Sequence, residues 1–197
     1  MDVVIIGPSD RSLLWREGTV TEAAYELFVE EYATLLAKCA ENVIVTPDDG
    51  VYADIALVFG QKKGKKAIAY YPDKDTYYGI DHIKGNFEKY DIRGIDGDWY
   101  TLNAELTKQA PVVICVGFSP GALIELSFIK YHQKYGGYKD AKLKDIHLFV
   151  DRRCVKGELP LSFSEQIQNL QYFSDFDELE RLIQETKKRV DLSFWEK

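Results

Sequence analysis

The chain contains 197 residues, of which 46% are hydrophobic and 29% charged, and its formal net charge at pH 7 is −7. This length predicts one domain over residues 1–197, and the composition is typical of a soluble globular protein. No stretch approaches the ~18 consecutive apolar residues that a membrane span requires, and the acidic charge disfavours sequence-independent binding to long nucleic acid. We therefore expect neither a membrane nor a nucleic acid as a partner.

The first residues and the cysteines indicate the compartment. The opening sequence MDVVIIGPSD enters an apolar run at once, without the basic region that begins a secretory signal. Cys39, Cys115 and Cys154 are widely separated and form no C-x-x-C pair, which predicts neither a disulfide framework nor a zinc site. The three histidines also lack metal-binding spacing. We expect a cytoplasmic protein with no bound metal.

The first third of the chain alternates short apolar runs with helical patterns. Val3–Ile6 is a predicted strand. A T-x-x-E capping box at Thr19–Glu22 precedes apolar residues at helical spacing as far as Cys39, which predicts a long amphipathic helix. Val43–Val45 is the second predicted strand, and Tyr52–Phe59 is a short helix after a polar turn.

The middle of the chain has a weaker pattern. Lys66–Tyr71 is the third predicted strand. Residues 76–98 contain four glycines and show only a short strand around Lys89–Ile92. A segment of this length without clear periodicity is usually functional or misassigned, so both interpretations stay open. Trp99–Gln109 is the next predicted helix.

The last part of the chain returns to regular alternation. The further predicted elements are the strand Pro111–Val116, the helix Ala122–Tyr135, the strand Ile146–Val150, the strand Asn169–Phe173 and a final helix that Ser174 caps. Strands that alternate with helices in this way require right-handed crossovers and parallel pairing. The sequence predicts an α/β fold, a three-layer Rossmann-like sandwich with a mainly parallel sheet and helices on both faces.

The segment PVVICVGFSPGALIE, Pro111–Glu125, predicts a strand, a tight turn and a helix N-terminus. At such a junction, backbone N–H groups lack intrahelical partners and the helix dipole favours an anion. Glycine in the turn lets the backbone approach a ligand closely, and serine caps the helix. The predicted phosphate-binding residues of this turn are Gly117, Phe118, Ser119, Pro120, Gly121 and Ala122.

Other turns belong to the same predicted edge of the sheet. Ligands of open parallel sheets bind outside the carboxyl ends of the strands, near the switch in strand order. An arginine pair there can bind phosphate through bidentate hydrogen bonds. The further predicted ligand-binding residues are Gly7, Pro8 and Ser9 after the first strand, Asp48, Asp49 and Gly50 after the second, and Arg152 and Arg153 after the Ile146–Val150 strand.

These segments resemble the Lonely Guy superfamily, which is part of the wider SLOG group and whose members were once called lysine decarboxylase-like proteins. The family motif P-G-G-x-G-T-x-x-E is similar to Gly117–Glu125, with firm matches at Gly121 and Glu125 and loose matches at Ser119 and Ala122. The resemblance covers most of the chain and implies a Rossmann-like nucleotide-binding protein. Its founding enzymes hydrolyse cytokinin riboside monophosphates, which implies a catalytic role for Glu125.

The chain departs from that family at a second motif. The enzymes carry R-K-x-x-M on the helix before the phosphate-binding strand, and Leu102 and Asn103 occupy the Arg and Lys positions here. Phosphoribohydrolysis needs a cation for the phosphate or ribose as well as a carboxylate that stabilises the oxocarbenium-like centre. Only the carboxylate is present, so the resemblance implies the nucleotide-binding superfamily more strongly than its founding activity.

Three functional hypotheses remain. The first is a module that binds a nucleoside monophosphate-like or other nucleotide-derived phosphate ligand without turning it over. The second is a nucleoside monophosphate phosphoribohydrolase, an N-glycosidase, in which Glu125 acts at C1′ and Arg93, Arg152 or Arg153 replaces the missing cation. The third is single-stranded DNA binding through the lysines of residues 62–66, which the net charge disfavours. The sequence leaves turnover and homo-oligomerisation open.

Overall fold

The computed structural model describes residues 1–190, and the last seven residues of the predicted domain lie outside that range. The described strands are β1 Val3–Ile6, β2 Val43–Val45, β3 Ile68–Pro72, β4 Asp91–Ile95, β5 Val112–Cys115, β6 His147–Asp151 and β7 Leu170–Phe173. The described α-helices are α1 Ser12–Glu17, α2 Tyr25–Cys39, α3 Val51–Lys63, α4 Asp81–Lys84, α5 Trp99–Leu106, α6 Pro120–Lys134, α7 Leu161–Ser164 and α8 Phe176–Arg189.

The seven strands form one sheet in the order β4-β3-β2-β1-β5-β6-β7, and every pair is parallel. The chain builds outward from β1 to β4, then returns to the other side of β1 and builds outward again from β5 to β7. The strand order therefore reverses between β1 and β5. In a doubly wound sheet, the carboxyl ends of the two strands at this switch leave a crevice for a ligand.

Alternation along β1 divides the core into two layers. Val3 and Ile5 pack in a cluster with α2, α3 and α8, whereas Val4 and Ile6 pack with α5 and α6. Because successive side chains of a strand point to opposite faces, the fully apolar β1 requires cover on both sides. The predicted Rossmann-like sandwich is confirmed, with a sheet that is wholly parallel. No helix within residues 1–190 has the length and apolar character needed to cross a bilayer.

Several predicted boundaries and caps differ from the structure. Thr19 does not cap a helix: its hydroxyl donates to the carbonyl of Arg153, and α2 begins only after the 3-10 turn Glu22–Ala24. The final helix is capped by Asp175, which accepts from the N–H of Glu178, rather than by Ser174. Both errors have the same cause, because several neighbouring residues satisfy a capping pattern and tertiary contacts select among them.

The weakly patterned segment 76–98 contains three short elements. These are α4, a 3-10 turn at Phe87–Lys89 and the edge strand β4. The strand lies two residues later than predicted and is mostly exposed, with a burial pattern that does not alternate. An exposed edge strand carries little hydrophobic signal, which explains the ambiguous pattern. The loop between β4 and α5 lies at the carboxyl edge of the sheet.

Candidate functional site

A cleft opens at the switch between β1 and β5, and we call it the switch cleft. Its volume is about 410 Å³. The turns after β1, β2 and β5 surround it, together with one face of α5 and the first two turns of α6. The lining residues are Ile5, Ile6, Gly7, Ser9, Asp10, Leu13, Thr46, Asp48, Tyr52, Trp99, Asn103, Ser119, Pro120, Gly121, Ala122 and Glu125. Eight of the predicted site residues are among them: Gly7, Ser9, Asp48, Ser119, Pro120, Gly121, Ala122 and Glu125.

The turns beneath the cleft are held together by the buried Pro8. A Cβ added to Gly117, whose φ is +136°, would lie 2.9 Å from the Pro8 ring. A Cβ added to Gly50, whose φ is +125°, would lie 2.4 Å from the Pro8 carbonyl oxygen. The same carbonyl accepts a hydrogen bond from the N–H of Val51 at 3.2 Å. Only glycine meets both the positive φ and the close approach, so these predicted residues shape the cleft without lining it.

The N-terminus of α6 presents unpaired donors to the cleft. Ser119 is the N-cap, and its hydroxyl oxygen accepts from the N–H of Ala122 at 3.1 Å. The N–H groups of Ser119 and Gly121 donate to no acceptor among residues 1–190. Pro120 at the first helical position has no N–H to satisfy. Two free amides and the positive end of a 15-residue helix therefore face the cleft.

Glu125 lies one helical turn beyond these amides and faces the same cleft. Its side chain is 8% exposed, and it makes no hydrogen bond or ion pair with the described residues. Burial raises the pKa of the Glu125 carboxyl to about 8, with no compensating partner. The carboxyl is therefore mostly protonated at neutral pH and can donate one hydrogen bond as well as accept others.

Two other carboxylates lie at the rim. Asp48 accepts from the Ser9 hydroxyl at 3.2 Å and from the N–H of Asp49 at 2.8 Å. Asp10 accepts from the N–H of Ser12 at 2.9 Å, and its hydrogen bonds with Ser12 lower its pKa. No Lys or Arg is among the described residues that line the cleft. Within residues 1–190, no group of three or more His, Cys, Asp or Glu side chains is arranged to hold a metal.

Helix α5 contributes two lining residues that sequence reasoning missed. Trp99 and Asn103 are four residues apart, so they share one helix face, and both reach the cleft. Leu102 points away from it and is fully buried in the protein. Of the two positions that depart from the motif the sequence resembles, only Asn103 therefore faces the cleft. The signal that marks Trp99 and Asn103 is their i, i+4 spacing on a strip of α5 beside the buried Leu102 and Leu106.

The other lining residues that the sequence did not predict flank the turns after β1 and β2. Asp10 precedes α1 and Leu13 lies in its first turn, and this six-residue helix is too short to show a clear period. Thr46 directly follows β2, and its hydroxyl donates to the phenol oxygen of Tyr52 at 3.2 Å. Residues that close a cleft from a short helix or a strand end leave no periodic pattern.

The structure does not bring the predicted arginines into the cleft. Arg153 forms a two-pronged ion pair with the buried Asp151, at 2.8 and 3.0 Å, and its guanidinium lies 4.0 Å from the Phe176 ring centroid. Arg152 pairs with the exposed Glu158 at 2.8 Å. Arg93 lies in the edge strand β4 and pairs with Asp91 at 3.1 Å. Each arginine already has a carboxylate partner elsewhere, so we leave all three out of the proposed site.

Other predicted residues lie near the cleft but outside its lining. Asp49 is exposed on the turn after β2, and Phe118 packs against the core layer beneath α6. The lysines of residues 62–66 lie at the C-terminal end of α3, at the edge of the sheet opposite the cleft. Lys62 pairs with Glu30 and Lys66 donates to the Glu88 carbonyl. The basic run and the switch cleft are therefore separate surfaces.

The sheet order and the cleft define a class, the doubly wound Rossmann-like α/β proteins with a crevice at the strand-order switch. No family model and no curated protein matches the sequence. Among solved structures, the structural genomics target TM1055 matches with a TM-score of 0.63 at 16% identity, over 93% of this chain and 98% of its own. The molybdenum cofactor carrier protein from Chlamydomonas reinhardtii matches at 0.58 and 14%, over 95% and 98%.

A third similar structure is DNA processing protein A from Helicobacter pylori, described for its single-stranded DNA binding mode. It matches with a TM-score of 0.57 at 17% identity, over 94% of this chain and 80% of its own. These neighbours share the doubly wound Rossmann-like fold of this chain. The fold class predicted from the sequence is thus confirmed. At such low identity, the likeness says nothing further about the ligand.

Proposed function

We propose that the protein binds a nucleotide or nucleotide-derived phosphate ligand in the switch cleft. The observation that carries the proposal is the placement of two unpaired amides at the N-terminus of α6 in the same cleft as the mostly buried, unpartnered Glu125. Burial of most of the Glu125 side chain disfavours its ionised form, while its oxygens stay open to the cleft. A ligand in the cleft can supply the hydrogen bonds that the protein does not.

The α6 N-terminus favours the phosphate end of such a ligand. Free amides and the helix dipole stabilise an anion without a cationic side chain, and none lines this cleft among the described residues. The three carboxyl groups of the cleft would repel an anion if all were ionised and close to it. Protonation of Glu125, the one nearest the free amides along α6, lessens that repulsion near neutral pH.

The carboxylates suit the hydroxyl groups of a ribose. Asp48 has acceptor capacity beyond its bonds to Ser9 and Asp49, and the Glu125 carboxyl can both donate and accept. A ligand with a phosphate at one end and several hydroxyls beside it matches this distribution. The molybdenum cofactor carrier protein is a small-molecule carrier of the same fold, and this likeness supports binding without turnover.

The first test places a methyl group at the amides. A Cβ added to Gly121 has only the Ser119 hydroxyl oxygen within 4 Å, at 3.9 Å, so Gly121→Ala leaves the fold intact while narrowing the cleft. We expect the variant to bind nucleoside 5′-monophosphates at least tenfold more weakly than the wild type in calorimetric titrations, since one lost charge-assisted hydrogen bond is worth about 1.5–3 kcal/mol.

Gly85→Ala is the matched control, because an added Cβ there meets no atom within 4 Å and Gly85 lies outside the cleft. Its affinity should equal that of the wild type, and both variants should keep the wild-type unfolding temperature. Equal nucleotide affinity in Gly121→Ala and wild type would place the phosphate elsewhere. Native mass spectrometry of the purified protein would identify a ligand that co-purifies.

A second candidate function is cleavage of the N-glycosidic bond of a nucleoside monophosphate. It rests on the raised pKa of Glu125, since a carboxyl that is protonated near pH 8 can act as a general acid toward a leaving base. The absence of Lys and Arg from the described cleft lining favours binding over this chemistry. Chromatography decides between them: release of free base by the wild type and not by Glu125→Gln would establish the hydrolase.

A further inference from the structure

We propose that an aromatic shelf beside the switch cleft binds a planar heteroaromatic ring of the ligand. The shelf is a second cavity of about 500 Å³ formed by Tyr78, His82, Trp99, Tyr100, Asn103 and Ile124. This inference rests on the proposed function of the cleft and extends it to the ring-bearing end of the ligand.

The shelf adjoins the cleft. Asp48, Trp99 and Asn103 line both cavities. A molecule whose phosphate lies at the α6 N-terminus and whose sugar lies near Asp48 therefore extends directly onto the shelf. The cleft alone provides about 410 Å³, and the shelf provides the additional space that a nucleobase-sized ring needs.

The aromatic side chains leave ring surface open to a ligand. Tyr78 is 58% exposed and Tyr100 is 59% exposed, and Ile124 next to them is 40% exposed. Exposed tyrosines beside an apolar residue form a surface on which a flat ring can stack.

The loop that carries Tyr78 is held in place against α5. Asp75 accepts from the N–H groups of Tyr78 and Gly79 at 2.7 and 2.6 Å. The indole N–H of Trp99 donates to the Gly79 carbonyl at 3.1 Å. This anchoring holds the Trp99 indole between the loop and the cleft. A shelf whose rings are already oriented loses little conformational entropy on binding.

Polar groups at the junction suit the edge of a heterocycle rather than a simple phenyl ring. The Asn103 amide offers both a donor and an acceptor, and the described residues give its side chain no hydrogen-bond partner. Heteroaromatic rings with ring nitrogens and exocyclic amino or oxo groups satisfy such an amide. The expected ligand class is a base or a related heterocycle attached to a hydroxylated phosphate ester.

The experiment compares ligands with and without the ring. Calorimetry would measure ribose 5-phosphate and the adenosine, guanosine, cytidine and uridine 5′-monophosphates against wild type, Tyr100→Ala and Tyr100→Phe. We expect at least one monophosphate to bind the wild type about tenfold or more tightly than ribose 5-phosphate. Tyr100→Ala should remove most of that advantage and leave ribose 5-phosphate unchanged, whereas Tyr100→Phe should retain it.

Tyr135→Ala provides the control, since Tyr135 is 54% exposed near the far end of α6 and lines neither cavity. Equal wild-type affinity for ribose 5-phosphate and all four monophosphates would overturn the shelf and leave the phosphate site standing. A ring-dependent advantage that survives in a Tyr78→Ala/Tyr100→Ala double variant would also overturn the shelf. Failure of every compound to bind would overturn the shelf and the proposed nucleotide site together.

Discussion

Asp151 and Glu125 are both buried carboxyl groups near the carboxyl edge of the sheet, but their surroundings differ. Asp151 is fully buried and receives two hydrogen bonds from the Arg153 side chain and one from the Arg153 backbone. Glu125 is almost as buried and receives none from the described residues. The Arg153 guanidinium also packs on aromatic rings from α2 and α8, including Phe28 and Phe176.

The difference separates a structural carboxylate from one that is available for a ligand. A buried charge is tolerated when an ion pair and hydrogen bonds compensate its lost hydration, as they do for Asp151. Where no compensation exists, the group becomes neutral and its pKa rises, as it does for Glu125. The fold therefore uses the arginine that follows β6 for stability, and local sequence offers no way to distinguish that use from phosphate binding.

The largest expected effect comes from breaking the buried ion pair between Asp151 and Arg153. Asp151→Asn keeps the size of the side chain but leaves the Arg153 guanidinium without its carboxylate. We expect the free energy of unfolding to fall by about 4 kcal/mol, because removal of one partner strands a charge in a mostly buried place. Urea unfolding followed by circular dichroism measures the change.

The control for that prediction is the exposed pair between Arg152 and Glu158, whose side chains are 47% and 58% exposed. Glu158→Gln should change stability by no more than about 0.5 kcal/mol, because solvent screens an exposed pair. Similar losses in Asp151→Asn and Glu158→Gln would mean that burial does not distinguish the two ion pairs, and the comparison with Glu125 would lose its basis.

A smaller change in the free energy of unfolding, of opposite sign, is expected when Glu125 is replaced. Its pKa is about 8 in the folded state and 4.5 ordinarily, so the folded protein holds the extra proton between these pH values. The free energy of unfolding therefore falls as pH rises from about 4.5 to 8. We expect Glu125→Gln to remove this loss and to stabilise the protein at pH 9 by about 3 kcal/mol, less than the full pKa difference implies because the carboxyl opens to the cleft.

Urea unfolding at pH 5 and pH 9 measures this effect. Near pH 5 the wild-type side chain is neutral in the folded state, so the variant should differ from wild type by under about 1 kcal/mol. A destabilised Glu125→Gln variant at pH 9 would mean that Glu125 is compensated within the protein, and the argument for a ligand at this carboxyl would fail.

The smallest expected effect is on phosphate affinity. Ionisation of Glu125 near pH 8 places a negative charge beside the α6 N-terminus, which disfavours a dianionic phosphate. We expect the affinity of the wild type for ribose 5-phosphate to fall about fivefold between pH 7 and pH 9. In Glu125→Gln the affinity should be the same at both pH values. A fivefold fall in the variant as well would assign the pH dependence to another group.

The sequence by itself determined the class of fold and most of the turn between β5 and α6. Apolar, β-branched strands such as Val112–Cys115 need cover on both faces, and a glycine-rich turn followed by Ser119 and Pro120 starts a helix in almost any α/β context. These features depend on residues close together in the chain. Local pattern was therefore sufficient for the sandwich and for eight of the residues that line the switch cleft.

Only the tertiary structure decided which side chains interact and which of them reach the cleft. Arg153 became structural because α2 and α8 cover its guanidinium with Phe28 and Phe176. Its carboxylate partner Asp151 is only two residues away, but the burial of the pair depends on those distant elements. Trp99 and Asn103 reached the cleft because α5 packs beside α6 across the switch point. The raised pKa of Glu125 likewise depends on burial by distant residues. Short-range periodicity fixes elements, whereas charge, burial and the shape of a site depend on contacts far apart in sequence.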